Sequence, residues 1–124
     1  MRATALLLDS VIVIDHLNRV SAAKDFIQAR AAECAVSLVT WTEVLAGADG
    51  PEAWDECRDV LSLFPLVPLN LKAAETAARL RRAHRWKLGD AYQAATALEN
   101  GLTFVTRNTR DFSPQKHAFV HVPY

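Results

Sequence analysis

An α/β fold built on a mainly parallel sheet of four or five strands, with helices on both faces, is what this sequence predicts. Two observations carry that reading. Short apolar runs of strand type alternate with pairs of helical patterns, in the order β-α-α-β-α-α-β-α-α-β-β. Such alternation is how crossover connections build parallel sheets. Acidic residues also stand just beyond several strands or at the start of the next helix, the edge where open α/β sheets bind ligands. The chain has 124 residues and a hydrophobic fraction of 51%. It therefore reads as one domain over residues 1–124, able to bury a core without disulfides. No internal repeat, low-complexity stretch or linker interrupts it.

The elements follow in order. Ala5 to Leu8 is a short apolar strand ended by Asp9-Ser10. Val11, Ile14 and Leu17 then line one side of a short helix, which Asp9 could cap. An acid at that strand end is costly to bury alone, yet this edge is where open α/β sheets bind ligands, so metal binding or catalysis is the favoured reading of Asp9 and the cap the alternative. Asn18 to Ser21 is a turn, and Ala22 to Glu33 a helix with Phe26 and Ile27 on its apolar side. Cys34 to Val39 is the second strand. Thr40-Trp41-Thr42-Glu43 matches a capping box, which would occupy Glu43 with its own helix. Gly47 to Pro51 is a loop. Glu52 to Phe64 is a helix with Trp54, Cys57, Leu61 and Phe64 on one face. Leu66-Val67, between two prolines, is a brief strand. Asn70 begins a helix running from Leu71 to about Trp86.

The stretch from Trp86 to Phe112 organises the rest. Asp90 precedes a helix whose apolar face is Ala91, Ala94, Ala95 and Leu98. Asn100-Gly101 stops it, and Leu102 to Thr106 returns as a buried strand. The helix rises roughly 15 Å at about 1.5 Å per residue. The strand covers roughly 16 Å at about 3.3 Å per residue. Asp111 is thereby brought back near Asp90. Phe119 and Val120 add a last strand.

Composition excludes several classes. The formal net charge is zero, so bulk electrostatics favour no polyanion or membrane partner. Cys34 and Cys57 lie in no CxxC and near no histidine cluster, which speaks for reduced thiols. Asp9 and Asp15 interrupt the N-terminal apolar run, which has one Arg and no small-residue cleavage site. No segment has the apolar length of a membrane span. The expected compartment is the cytoplasm. Phosphate-binding glycine motifs and a GxSxG elbow are absent.

Four acids remain at suggestive places: Asp9, Glu43, Asp90 and Asp111. Oxygen ligands without cysteine or grouped histidine favour Mg²⁺ or Mn²⁺ over zinc. Crowded carboxylates raise each other's pKa unless a cation neutralises them. A site of this kind can activate water and hold a phosphoryl group. Thr106 and Asn108 on the same rim are placed to position water or metal. Arg107 and Arg110, with Arg82, Arg85 and Lys87 from the basic end of the preceding helix, are candidate phosphate ligands. That basic run also reads as a solvated helix end with cations near its C-terminus. His16, His84, His117 and His121 are scattered and read as surface or packing residues. A phosphatase of the haloacid-dehalogenase type is disfavoured, because Asp9-Ser10-Val11 stands where it needs Asp-x-Asp.

Taken together, LLLDS near the start, TWTEVLAG in the middle, LGDAYQAATALENGLTFVTRN and RDF resemble PIN-domain ribonucleases, specifically VapC-type toxins of toxin–antitoxin pairs. The match covers nearly the whole chain, with Leu88 to Phe112 its most specific piece. The resemblance implies a three-layer α/β/α PIN-like fold and Mg²⁺- or Mn²⁺-dependent endonucleolytic cleavage of RNA. It also implies homodimers, or larger toxin–antitoxin assemblies, inhibited by a small cognate antitoxin. Asp9, Glu43 and Asp90 match the first three family acids. Some relatives carry the fourth where this chain has Asn108, others at the position of Asp111. Ser10-Val11 stands where relatives often show Thr-Asn. A non-catalytic RNA-binding or assembly module of the same fold, and a housekeeping RNA-maturation nuclease, are the competing readings.

Overall fold

The computed structural model describes residues 3–124. Arg2, the one basic residue ahead of the first apolar run, lies outside the described residues. Among the described residues, five strands and six α-helices follow the expected order: β1 (Leu6–Leu8), α1 (Ser10–Leu17), α2 (Ser21–Arg30), β2 (Cys34–Ser37), α3 (Leu38–Ala46), α4 (Pro51–Leu61), β3 (Leu66–Val67), α5 (Leu71–His84), α6 (Leu88–Glu99), β4 (Thr103–Val105) and β5 (Val120–His121). A single 3-10 turn at Ala31–Glu33 separates α2 from β2, where the helical pattern had run on unbroken.

The sheet order is β3-β2-β1-β4-β5, and every pairing among the described residues is parallel. β1 is central, with Leu6 opposite both Cys34 and Thr103 and Leu8 opposite Val105. Alternate residues of a strand face opposite sides, so β1 feeds two cores. Leu6 and Leu8 join Ile12, Val13, Val44 and Leu61 on one face. Leu7 joins Ala77, Ala91, Ala94, Phe104 and Phe112 on the other. The three layers follow from that division. After β3 the chain returns to the far side of β1, so the direction of strand order switches there. The carboxyl ends of β1, β2 and β4 lie side by side at this switch, the usual ligand position in such sheets.

Three expectations are corrected at element ends and two on helix faces. α3 is capped by Ser37, whose hydroxyl accepts from the Thr40 amide at 3.2 Å. Thr40 is therefore inside the helix and fully buried, Leu38-Val39 belong to α3, and Glu43 is not part of a Thr40 capping box. α5 stops at His84, because Arg85 takes a left-handed backbone with φ of 58°. The turn drops Trp86 into the core against Phe112, at 4.6 Å between ring centres. α6 starts at Leu88, which puts Asp90 in its first turn rather than ahead of it. Its buried side is broad, running over Ala91, Gln93, Ala94, Ala95, Thr96 and Ala97, while Leu98 is 44% exposed. These small side chains let α6 lie close between α5 and the sheet. Trp54 also leaves the predicted core face of α4, at 45% exposure.

Candidate active site

Asp9 ends β1 and caps α1, so the two readings of this residue are compatible. Its Oδ1 accepts the Ser10 amide at 2.7 Å, and its Oδ2 accepts the Thr106 hydroxyl at 2.7 Å. Parallel pairing of Leu8 with Val105 sets the two following residues, Asp9 and Thr106, side by side. The Thr106 hydroxyl in turn accepts the Asn108 amide at 3.0 Å. Asn108 donates its side-chain N–H to Asp111 Oδ2 at 3.0 Å and accepts the Asp111 amide at 3.4 Å. A hydrogen-bonded chain thus runs from the first expected acid to the fourth. Asn108 stands in it as a donor to Asp111. A carboxylate at position 108 would lack that donor and add repulsion.

Glu43 projects from α3 on the same side. Its Oε1 accepts the Ser10 hydroxyl at 2.5 Å. Gly89, in the first turn of α6, has so little bulk that a Cβ there would stand 3.5 Å from Glu43 Oε2. α3 and α6 therefore meet with the Glu43 carboxylate between them. Asp90, half-buried one residue on, faces the same region.

The charges of these groups are felt mutually. Burial, above all, pushes the Asp9 carboxyl up to about 6, with further upward pressure from Asp90 and Glu43. The bonds from Thr106 and Ser10 oppose the rise without cancelling it. Asp90 is raised as well, by burial first and then by Asp111 and Glu43, while Lys87 works against the shift. Concentrated negative charge with insufficient compensation is what a bound divalent cation relieves. Among the described residues no three acids stand close enough to form a ready-made cage. Mg²⁺ does not need one, because it keeps several waters and is usually held by one or two carboxylates with substrate phosphates. The donor set, all carboxylate oxygen, fits Mg²⁺ or Mn²⁺ on that basis.

The cations are divided. Arg107 is already engaged: its guanidinium meets Asp15 Oδ2 at 3.1 Å and lies over the Tyr124 ring, 5.0 Å from its centre. The Tyr124 hydroxyl donates to the same Asp15 oxygen at 3.0 Å. Even in this pair the Arg107 side chain is 46% exposed. Arg82, Arg85, Lys87 and Arg110 are exposed. Arg81 donates to the Trp86 carbonyl at 3.0 Å and closes the end of α5. His84 stacks on Trp86 at 4.2 Å and meets the edge of His117 at 5.3 Å, which makes both packing residues, as expected.

A buried polar network behind the acids has no counterpart in the sequence reading. Gln93, fully buried, accepts from the Ser37 hydroxyl at 2.6 Å and donates to the Thr40 hydroxyl at 2.7 Å. Its Nε2 also faces Asp9 Oδ1 at 3.5 Å. The available signal was a lone amide among alanines, one helical turn after Asp90.

Comparison with known proteins agrees with this architecture. Residues 6–116 match the family model described as PIN domain. The chain is 32% identical over 114 residues to "Ribonuclease VapC10" of Mycobacterium tuberculosis, covering 86% of this chain and 85% of that one. Among solved structures, a toxin–antitoxin complex from Klebsiella pneumoniae superposes with a TM-score of 0.88 at 35% identity, over 97% of this chain and 98% of the other. A DNA-bound VapBC from Salmonella typhimurium gives 0.74 at 20% identity, over 88% and 90%, a likeness of fold. By sequence and by fold, the chain belongs to the PIN-domain family, with VapC-type proteins among its relatives.

Proposed function

We propose that this chain, acting as a single nuclease unit in the cytoplasm, is a Mg²⁺- or Mn²⁺-dependent endoribonuclease, the toxin of a toxin–antitoxin pair. The observation that carries the reading is the electrostatic coupling of Asp9, Glu43, Asp90 and Asp111 at one edge of the sheet, with the Asp9 carboxyl pushed up to about 6. The ribonuclease and toxin–antitoxin names of relatives support the substrate and the setting.

Asp9, Glu43, Asp90 and Asp111 would hold the cation. When bound, it supplies positive charge that acidifies water and stabilises negative charge developing on phosphate. Thr106 and Asn108 hold Asp9 and Asp111 in place through their hydrogen bonds. Ser10 steers Glu43 inward. Arg82, Arg85, Lys87 and Arg110 bind backbone phosphates, with Arg107 contributing from its place beside Asp15. Such contacts set affinity more than sequence preference. Water as nucleophile leaves a 5′-phosphate; the ribose 2′-hydroxyl would leave a cyclic phosphate.

An apolar recess of about 290 Å³ adjoins Glu43, lined by Leu38, Val39, Leu69, Leu88 and Tyr92. It supports docking of a small antitoxin or a twin subunit, with a basic side chain reaching the acids.

Purified protein is expected to cleave RNA in Mg²⁺, leave 5′-phosphate ends and stop in chelator. Asp90→Asn is expected to abolish cleavage with the fold intact. Asp111→Asn is expected to raise the Mg²⁺ requirement; unchanged cleavage across a Mg²⁺ titration would remove Asp111 from the ligand set. Cyclic-phosphate ends formed equally well in chelator would overturn the mechanism. RNA binding without cleavage would favour the non-catalytic module. Lack of toxicity on induction, with a specific precursor RNA processed, would favour a housekeeping nuclease.

A further inference from the structure

We infer that Gln93 is a positioning residue for the cation site, acting through Asp9. The inference rests on the proposed reading of Asp9 as a ligand. α6 supplies Asp90 at the rim and, one turn deeper, an amide that is fully buried. A primary amide has two N–H donors and one carbonyl acceptor. Each is accounted for. The carbonyl takes the Ser37 hydroxyl at 2.6 Å, one N–H goes to the Thr40 hydroxyl at 2.7 Å, and the other faces Asp9 Oδ1 at 3.5 Å. The Thr40 hydroxyl donates its own hydrogen bond to the Leu8 carbonyl at 3.1 Å. The orientation of the amide is thereby determined. Turning it over would aim its carbonyl at a carboxylate and leave the Ser37 hydroxyl without an acceptor.

The contact with Asp9 is long for a hydrogen bond and draws its strength from the carboxylate's charge. Its value is directional. Ser10 holds Oδ1 from the front of α1, and Thr106, just beyond β4, holds Oδ2. Gln93 approaches Oδ1 from α6, so donors from three elements fix the carboxylate plane. β1, β2, α3 and α6 are tied together behind it by the same side chain. Partners behind a metal ligand set its orientation, and losing one commonly costs 10–100-fold in metal affinity.

The test counts free Mn²⁺ by electron paramagnetic resonance over each metal-free protein, with denaturant unfolding alongside. Gln93→Met keeps length and removes the donor. Gln93→Asn, one methylene shorter, withdraws it while leaving a polar group. Thr40→Val breaks the same network but leaves the amide on Asp9. Either Gln93 variant is expected to weaken Mn²⁺ binding about tenfold. Thr40→Val is expected to stay within about twofold of the parent despite lower stability. Unchanged Mn²⁺ affinity in a folded Gln93 variant overturns the inference. So does equal weakening in Thr40→Val, which would make the role merely structural. If the parent binds Mn²⁺ and Asp90→Asn loses it while Gln93→Asn keeps it, this inference fails alone. If the parent binds none, the proposed site fails with it.

Discussion

Asp9 is a carboxylate that its surroundings resist charging. In the unfolded chain it ionises near 3.8, and in the folded protein near 6. Below 3.8 it is neutral in both states and costs nothing. Between those values the folded protein keeps a proton that the unfolded chain has released, so stability falls as pH rises. Above about 6 the loss is complete, on the order of 2–3 kcal/mol for this group. Asp9→Asn is therefore expected to raise the melting temperature of cation-free protein at pH 7 and to change it little at pH 4. Melts in chelator at both values check this; equal shifts at the two pH values would sink it. Mg²⁺ is expected to raise the parent's melting point at pH 7 more than the variant's. Asp9 and Asp90 were legible because one follows a strand and the other opens a helix, a local pattern, whereas Glu43 lies mid-way along α3 and was placed near a strand end only because β2 was read as longer than it is. Gln93 and Thr40 were not, because their partners lie far off in sequence, 84 residues for the contact from Gln93 to Asp9. The Thr40–Glu43 spacing even pointed the wrong way. Ser37 ends its strand first and takes the cap.

Strand cores were readable as short runs of branched and aromatic residues, and the helices as periodic ones. Their ends were not, because competition among neighbouring groups decides them. Leu38-Val39 continue the apolar run of β2, yet Ser37 caps the chain into α3 before them. His84 to Trp86 continue α5 in composition, yet the Trp86 ring gains more in contact with Phe112 than on a solvated helix end. Leu98 obeys the spacing of an apolar face, but α6 is buried so widely by small residues that the leucine falls at its margin. The same helix offers a test of how tightly α3 and α6 meet. Gly89 has an ordinary negative φ, and a Cβ there would stand 3.5 Å from Glu43 Oε2 and 3.6 Å from Val39 Cγ1. Both are normal contacts. Alanine suits a helix better than glycine by up to about 1 kcal/mol. Gly89→Ala is expected to raise the melting temperature by a few degrees, with Glu43 in place. A lower melting point would mean that α3 and α6 meet more tightly at Gly89 than these contacts allow for.

At the scale of the molecule, one topological event creates the site. The chain lays β2 and β3 on one side of β1, then crosses to lay β4 and β5 on the other. Asp9 and Thr106 meet only because of that crossing. The alternating pattern foretold parallel strands and a carboxyl-side cleft, but the spatial order of strands is not written in periodicity. Surface was harder still to read. Among the large aromatics, Phe64 and Trp86 are buried, Trp41 is partly buried and Trp54 is exposed. The apolar surface that adjoins the acids is instead aliphatic, with Leu88 59% and Leu38 39% exposed beside the recess at Glu43. Leu88→Gln keeps length and helix propensity and adds no charge beside Asp90. Leu88 is already largely in water, so the change is expected to alter monomer stability by less than about 0.5 kcal/mol. Within an occupied recess the amide would lose water and find no assured partner, which costs about 1–3 kcal/mol. Association with a twin subunit or a small antitoxin is accordingly expected to weaken about tenfold or more. Leu63→Gln is the control, since Leu63 is 76% exposed and does not line the recess. Light scattering across a dilution series reads self-association, and co-purification of any small partner protein from cells expressing both reads the antitoxin. Unchanged assembly in Leu88→Gln, or the same loss in Leu63→Gln, would remove the recess as the docking place.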